Sequence, residues 1–283
     1  MTLYQFDPVP QSTVQPLRAQ YLQQVGPLDG MWLTFAEMAR AYMISRAGTA
    51  IGYCAVDSEQ KLLQFHVVDS RESQAAFSEA LAGLKISGAV AATSESAYLA
   101  LCSDHQTSMA VNALMYRHEQ ESPPQVLGLP TSAFFSVVEV SALAAAVDFG
   151  CQALGAPREW LEGYYADLVS RGELFGLWLA DTLIATGECR PSVMQPPYAD
   201  IGVVVAREHR GHGVASDVLR RLLVHCADND LRPICSTERD NLAAQGAIAR
   251  AGFVSRDRIV EFEFAEPRGR DSRAEPPAAD PQV

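Results

Sequence analysis

Residues 201–215, Ile-Gly-Val-Val-Val-Ala-Arg-Glu-His-Arg-Gly-His-Gly-Val-Ala, constrain this chain more than any other stretch. The apolar, β-branched run Ile201 to Val205 predicts a buried strand, and Val214 to Cys226 carries apolar residues at helical spacing. Between them, Gly211 and Gly213 form a turn whose missing side chains let a ligand approach the backbone. The first N–H groups of a helix have no intrahelical partner, and they face an anion with the positive end of the helix dipole behind them. Strand, glycine turn and helix together predict a phosphate cradle. It is not the dinucleotide fingerprint, because Ser216 stands where that motif has its third glycine, and no Gly-Lys-Ser/Thr follows as in a P-loop.

The rest of the chain reads as one order of elements used twice. In the first half, helical spacing over 11–25 and a short helix over 34–41 precede three strands within 41–68, then a helix from Ser73, a strand from Gly88, a helix from Glu95 and a last strand Ser108 to Arg117. The second half offers a strand Phe134 to Val140, helices Ala142 to Leu154 and Pro157 to Ser170, a hairpin about Asp181-Thr182, the cradle strand and helix, a strand Arg232 to Thr237, a helix 241–251 and a last strand Val254 to Phe264. Residues 119–133 hold three prolines and read as a linker, and the tail from Glu266 has too few large apolar residues to fold. The expected boundaries are 1–118, a linker 119–133, 134–265 and a disordered tail 266–283. The first half lacks the cradle: Val68-Asp-Ser-Arg-Glu-Ser-Gln74 has no glycine and would set Asp69 and Glu72 against a pyrophosphate. Each half ends in a long strand with an apolar face (Met109 to Met115, Ile259 to Phe264), which invites the halves to associate.

The stretch Arg210-Gly-His-Gly-Val-Ala215 resembles the acetyl-CoA motif R/Q-x-x-G-x-G/A of the GNAT N-acetyltransferases, although in the alternative register Glu208 occupies the R/Q position. Asn241-Leu-Ala-Ala244 followed by Ala251-Gly-Phe253 looks like the family's second signature, and the resemblance covers residues 134–264. It implies an α/β (α+β) fold of two GNAT-like domains, each a mixed, mostly antiparallel central sheet flanked by helices, with acetyl-CoA as cosubstrate held by the second. By the same resemblance the coenzyme would contact Val203, Val204, Val205, Arg210, Gly211, His212, Gly213, Val214, Ala215 and Asn241, with Val203 or Val204 facing the thioester oxygen. His209 and His212 flank the turn as phosphate neighbours.

Composition narrows the partners. A net charge of −12 repels polyanions, and no basic cluster with interleaved aromatics overrides it, so nucleic acid is not expected and a cationic amine is the natural acceptor. No apolar run is long enough to span a bilayer and no basic-then-apolar leader opens the sequence, which predicts a cytoplasmic enzyme without membrane contact. Six scattered cysteines without metal spacing predict neither disulfide nor metal site. A monomer and a dimer are equally compatible with the sequence.

Acetyl transfer to an amine needs a base for the ammonium proton and protonation of the leaving thiolate. The tyrosine that family members often use as the acid is replaced by Ile248, so the thiolate leaves unassisted, through water, or with a proton from Ser236, Thr237 or Cys235 on the strand after the cradle helix. Glu188 is the preferred base and Asp200, at the start of the cradle strand, the alternative, with Arg190 an evident ion-pair partner. The leading reading is an acetyl-CoA-dependent N-acetyltransferase acting on the primary amine of a small molecule. Protein or peptide N-acetylation, and a non-catalytic acyl-CoA-binding regulatory role, stay open.

Overall fold

The computed structural model describes residues 2–119, 126 and 132–265. Most of the expected linker and all of the expected tail from 266 therefore lie outside the described residues. The first half runs β1 (Tyr4–Val9), α1 (Gln11–Gln24), α2 (Gly30–Met38), β2 (Arg40–Arg46), β3 (Thr49–Val56), β4 (Lys61–Val67), α3 (Ser70–Gly83), β5 (Gly88–Ala92), α4 (Ser96–His105) and β6 (Gln106–His118). The second half repeats the order: β7 (Ala133–Val137), α5 (Leu143–Leu154), α6 (Arg158–Arg171), β8 (Leu174–Leu179), β9 (Thr182–Pro191), β10 (Tyr198–Val205), α7 (Val214–Asp228), β11 (Arg232–Glu238), α8 (Leu242–Arg250) and β12 (Phe253–Phe264).

Two elements differ from the sequence reading. Strand β1 was not anticipated; it pairs along its whole length with β2, from Tyr4 against Arg46 to Val9 against Ala41. The helix expected over 34–41 is α2, which starts four residues earlier because the Asp29 carboxylate accepts the Trp32 N–H at 2.9 Å and so satisfies one of the first-turn donors. Residues from Arg40 onward are already in β2.

The twelve strands among the described residues form one sheet in the order β1-β2-β3-β4-β5-β12-β6-β11-β10-β9-β8-β7. The halves have exchanged their last strands. Strand β12 of the second half fills the lane beside β5, pairing Val260 with Ala91, while β6 of the first half pairs with β11, Ile234 against Arg117. The two exchanged strands also pair with each other, Phe253 against His118 through Phe264 against Gln106. Phe262 of the second half is thereby buried in the core of the first, beside Phe65, Phe77 and Tyr98. Burying such a ring contributes about 1.5–3 kcal/mol.

Two pairings are parallel, β4–β5 and β10–β11, and both are short. Strand β10 meets β11 only from Tyr198/Arg232 to Asp200/Ile234, after which the two part. Alternate peptide groups of β10 beyond Asp200 that face away from β9 thus lose a strand partner. Residues alternate across the sheet: Ile201 and Val205 join the core under α7 and α8, whereas Val204 packs with α5 and α6. Gly187 matters to this layering, because a Cβ there would sit 2.9 Å from Val218 Cγ1 and push α7 off β9. Among the described residues no helix is long and apolar enough to cross a membrane. All six cysteines are free, with the buried Cys189 and Cys226 sulfurs 3.7 Å apart.

Candidate active site

The turn before α7 has the conformation that only glycine adopts freely. Gly211 and Gly213 have φ of +80° and +83°, and a Cβ on either would meet no atom within 4 Å, so the turn is glycine for its backbone and stands open. Gly213 is the N-cap residue of α7 and no side chain caps that helix, which leaves the first N–H groups, from Val214 and Ala215 on, directed at the turn. His212 is exposed and His209 half-buried beside it. Arg210 takes a bracing part: its Nε donates to the Val205 carbonyl and its Nη2 to that of Ala153, both at 3.0 Å, and its own N–H goes to Arg207 at 3.3 Å. These two donors tie the turn to β10 and α5, while the residue as a whole is exposed beside the turn.

The corresponding turn of the first half carries a carboxylate where the second half has glycine. Asp69 caps α3 by accepting the Arg71 N–H at 3.0 Å and is paired with the Arg71 guanidinium, which holds its carboxyl down to about 2.

Where β10 and β11 part, a cleft of about 1680 Å³ opens between the halves. Asp200, Ile201 and Gly202 of β10 and Ser236, Thr237 and Glu238 of β11 form its floor, and α2 of the first half forms a wall. Asn241 also lines it, with its side-chain oxygen committed to capping α8 through the Ala244 N–H at 3.1 Å. Val203 and Val204 are half-buried just beyond, on opposite faces of the sheet.

Glu188, Arg190, Asp200 and Ser236 share the α5–α6 face of the sheet, because the β9–β10 register sets Glu188 opposite Gly202 and Arg190 opposite Asp200. Arg190 Nη2 donates to Asp200 Oδ2 at 2.8 Å and Nη1 to the Tyr164 hydroxyl at 3.2 Å. Tyr164, on α6, donates to Glu188 Oε2 at 2.6 Å, and Arg190 Nε lies 3.6 Å from the same oxygen, an ion pair longer than a hydrogen bond. From the first half, the Gly30 N–H donates to Asp200 Oδ2 at 3.1 Å, and Asp29 Oδ2 accepts the Ser236 hydroxyl at 2.6 Å.

Burial pushes the Asp200 carboxyl up to about 7, and the nearby Asp29 charge adds to it, against the opposing pull of Arg190 and the Gly30 N–H. Burial works against the Arg190 charge, yet Asp200, Tyr164 and Glu188 hold that guanidinium above its usual range. The Tyr164 phenol is raised by burial and then by the Glu188 charge. Asp200 thus lies in the cleft floor at a pKa suited to proton exchange near neutrality, while Glu188 is set behind it under Tyr164.

The sequence reading placed Glu188, Asp200 and Ser236 in the site but missed Asp29 and Tyr164. The Asp29-Gly30 pair carries a helix N-cap signal that could have been read, but its contact with residue 236 spans 207 positions. Nothing local marks Tyr164. Ile248, at the position of the family's tyrosine, is buried in the core under α7. Among the described residues no group of side chains could hold a metal ion.

A repeated fold with a splayed strand pair and an open glycine turn at a helix N-terminus defines a tandem acyltransferase architecture. A model described as "Acetyltransferase (GNAT) domain" matches residues 11–119, and one described as "Acetyltransferase (GNAT) family" matches residues 144–253. A GNAT-family acetyltransferase from Colwellia psychrerythraea is 37% identical, with a TM-score of 0.85, covering 93% of this chain and 99% of its own. A tandem GNAT protein from the clavulanic acid biosynthesis pathway shares the fold at 15% identity and a TM-score of 0.62, covering 92% of this chain and 97% of its own. A GCN5-related N-acetyltransferase from Sphaerobacter thermophilus does so at 14% and 0.68, covering 94% and 97%. No curated protein matches the sequence. The chain belongs to the GNAT acetyltransferase family and carries two GNAT domains in tandem.

Proposed function

We propose that the protein is an acetyl-CoA-dependent N-acetyltransferase of a small primary amine, with the second half binding the coenzyme and Asp200 acting as the base. The observation that carries the reading is the position of Asp200, at the last β10–β11 pair before the strands part, in the cleft floor, with its carboxyl at about 7. The open turn at Gly211 and Gly213 and the uncapped start of α7 fit a pyrophosphate, and the peptide groups of β10 beyond Asp200 fit a pantetheine arm and a thioester oxygen. Acetyl-CoA, when bound, supplies an acetyl group whose carbon–sulfur bond breaks as the carbon–nitrogen bond to the amine forms. An ammonium nitrogen loses two protons on becoming an amide: Asp200 takes the first, and the second balances the thiolate. Arg190 holds the Asp200 carboxylate in place, and Glu188 with Tyr164 holds Arg190, so Glu188 is a positioning residue in this scheme. Ser236 has its hydroxyl directed to Asp29 and positions the first half over the floor.

The experiment is calorimetry with acetyl-CoA on the full chain, followed by thiol-release assays over a panel of amines. One site per chain is expected, abolished by Gly213→Glu, and Asp200→Asn is expected to keep coenzyme affinity while lowering kcat by roughly 10² or more. Two sites per chain, binding unchanged in Gly213→Glu, or an active Asp200→Asn with a dead Glu188→Gln would overturn the scheme.

A further inference from the structure

We infer that the acceptor is a primary ammonium carried on an extended apolar body without a carboxylate, lying along α2 of the first half with its nitrogen at Asp200. The inference rests on the proposed transferase reading and names the substrate class of that same cleft.

Helix α2 presents two different faces. Trp32, Leu33 and Ala36 are buried against the first-half core, whereas Met31, Phe35 and Met38, at i, i+4 and i+7, line the cleft at 36%, 50% and 78% exposure. Leu154, at the end of α5, faces the same space at 52% exposure. Large apolar side chains left uncovered in a concave lining mark the body of a ligand.

The stripe has a direction and a length. Its helix begins at Gly30, whose N–H touches Asp200, so Met31 stands beside the floor and Met38 about 12 Å away at about 1.5 Å rise per residue. An amine of that reach places its apolar end against Phe35 and Met38 when its nitrogen is at the carboxylate.

Charge sets the other end. Asp29, Glu188 and Asp200 surround a single guanidinium, that of Arg190. Over the whole lining, six carboxylates face three basic side chains, and of the latter Lys61 is already engaged by Glu261. An ammonium is attracted to this floor, and a carboxylate beside the amine is repelled by it. A polyhydroxylated amine would bring hydroxyls against Met31, Phe35 and Met38, which offer no partners, and would forfeit the apolar contact along α2.

The test uses the full-length protein and three probes: 4-phenylbutylamine, 2-amino-5-phenylpentanoic acid, which adds a carboxylate to the same amine, and glucosamine. Binding is measured by calorimetry with and without acetyl-CoA, and turnover by thiol release. Expected is a kcat/KM for 4-phenylbutylamine at least 10²-fold above either of the others, and a selectivity for 4-phenylbutylamine over butylamine that falls roughly tenfold in Phe35→Ser. Acetyl-CoA binding with glucosamine or the amino acid preferred, or an unaltered selectivity in Phe35→Ser, overturns the inference and leaves the transferase reading intact. Absence of acetyl-CoA binding overturns the transferase reading; 4-phenylbutylamine binding that Phe35→Ser weakens would then still support the amine site, and no such binding would remove both.

Discussion

Asp29 Oδ2 accepts the hydroxyl of Ser236 at 2.6 Å while its Oδ1 caps α2, so one carboxylate both starts a helix of the first half and ties it to a strand of the second. The same charge contributes to raising Asp200. Asp29→Asn preserves a capping oxygen but removes the charge, which lowers the Asp200 pKa. The acidic limb of the kcat/KM profile is expected to move from near 7 to lower pH with little change in Tm, whereas Asp29→Ala should in addition cost about 1 kcal/mol of stability. A limb that stays in place in Asp29→Asn would show that Asp200 does not set it.

Gly30 holds Asp200 by approach. A Cβ at residue 30 would lie 3.0 Å from Asp200 Oδ2, closer than side chains ordinarily come, so Gly30→Ala displaces the carboxylate by a few tenths of an ångström. Turnover should fall roughly tenfold from the lost alignment, with acetyl-CoA affinity unchanged by calorimetry. Wild-type turnover would mean that the base tolerates the shift or lies elsewhere.

Glu95 offers a stability test remote from the cleft. It is fully buried, accepts from the Tyr21 hydroxyl and from the Ala92 N–H at 2.6 Å, and burial raises its carboxyl to about 7 in spite of those bonds. With its folded pKa above the unfolded value of about 4.3, the folded state binds more protons between those two values, and stability contributed by this group is lost as pH rises towards 7. Glu95→Gln loses an acceptor, which adds a constant penalty, but it removes this pH dependence. The Tm difference between variant and wild type should therefore shift in the variant's favour from pH 5 to pH 8; a difference independent of pH would place the Glu95 proton elsewhere.

Separation of the halves should fail. In a fragment of residues 130–265, β11 loses β6, and β12 loses both β5 and β6, which strips Phe262 of its core. Such a fragment is expected to aggregate on expression, while co-expression with residues 1–129 restores soluble material. A soluble, monomeric, active fragment would contradict the exchanged-strand pairing.

What could be read in advance was local. Gly211 and Gly213 declare a left-handed turn by themselves, and the β-branched run before them declares a buried strand, so the cradle and the repeated element order were legible. The exchange was not, because Met109 to Met115 and Ile259 to Phe264 carry similar alternation and either strand could complete either sheet. The choice between Glu188 and Asp200 hung on register: both lie on the same face, and only the opposition of Arg190 to Asp200 and of Glu188 to Gly202 decides which carboxylate borders the cleft. Tyr164 and Asp29 reach the site from helices whose docking depends on the packed core, which no short-range pattern encodes.

The lane between β5 and β6 is filled by β12, which is made long after both of them. During synthesis the first half must wait roughly ten to thirty seconds, at the usual pace of a ribosome, before residues 253–264 emerge to occupy it. Throughout that interval the lane beside β5 is open to β6 or to a matching strand from another molecule, and on a crowded message the nearest outside strand belongs to the neighbouring nascent chain. The device that locks two domains into one sheet is therefore also the path by which two molecules would trade tails, and the length of the intervening domain sets the time available for the error.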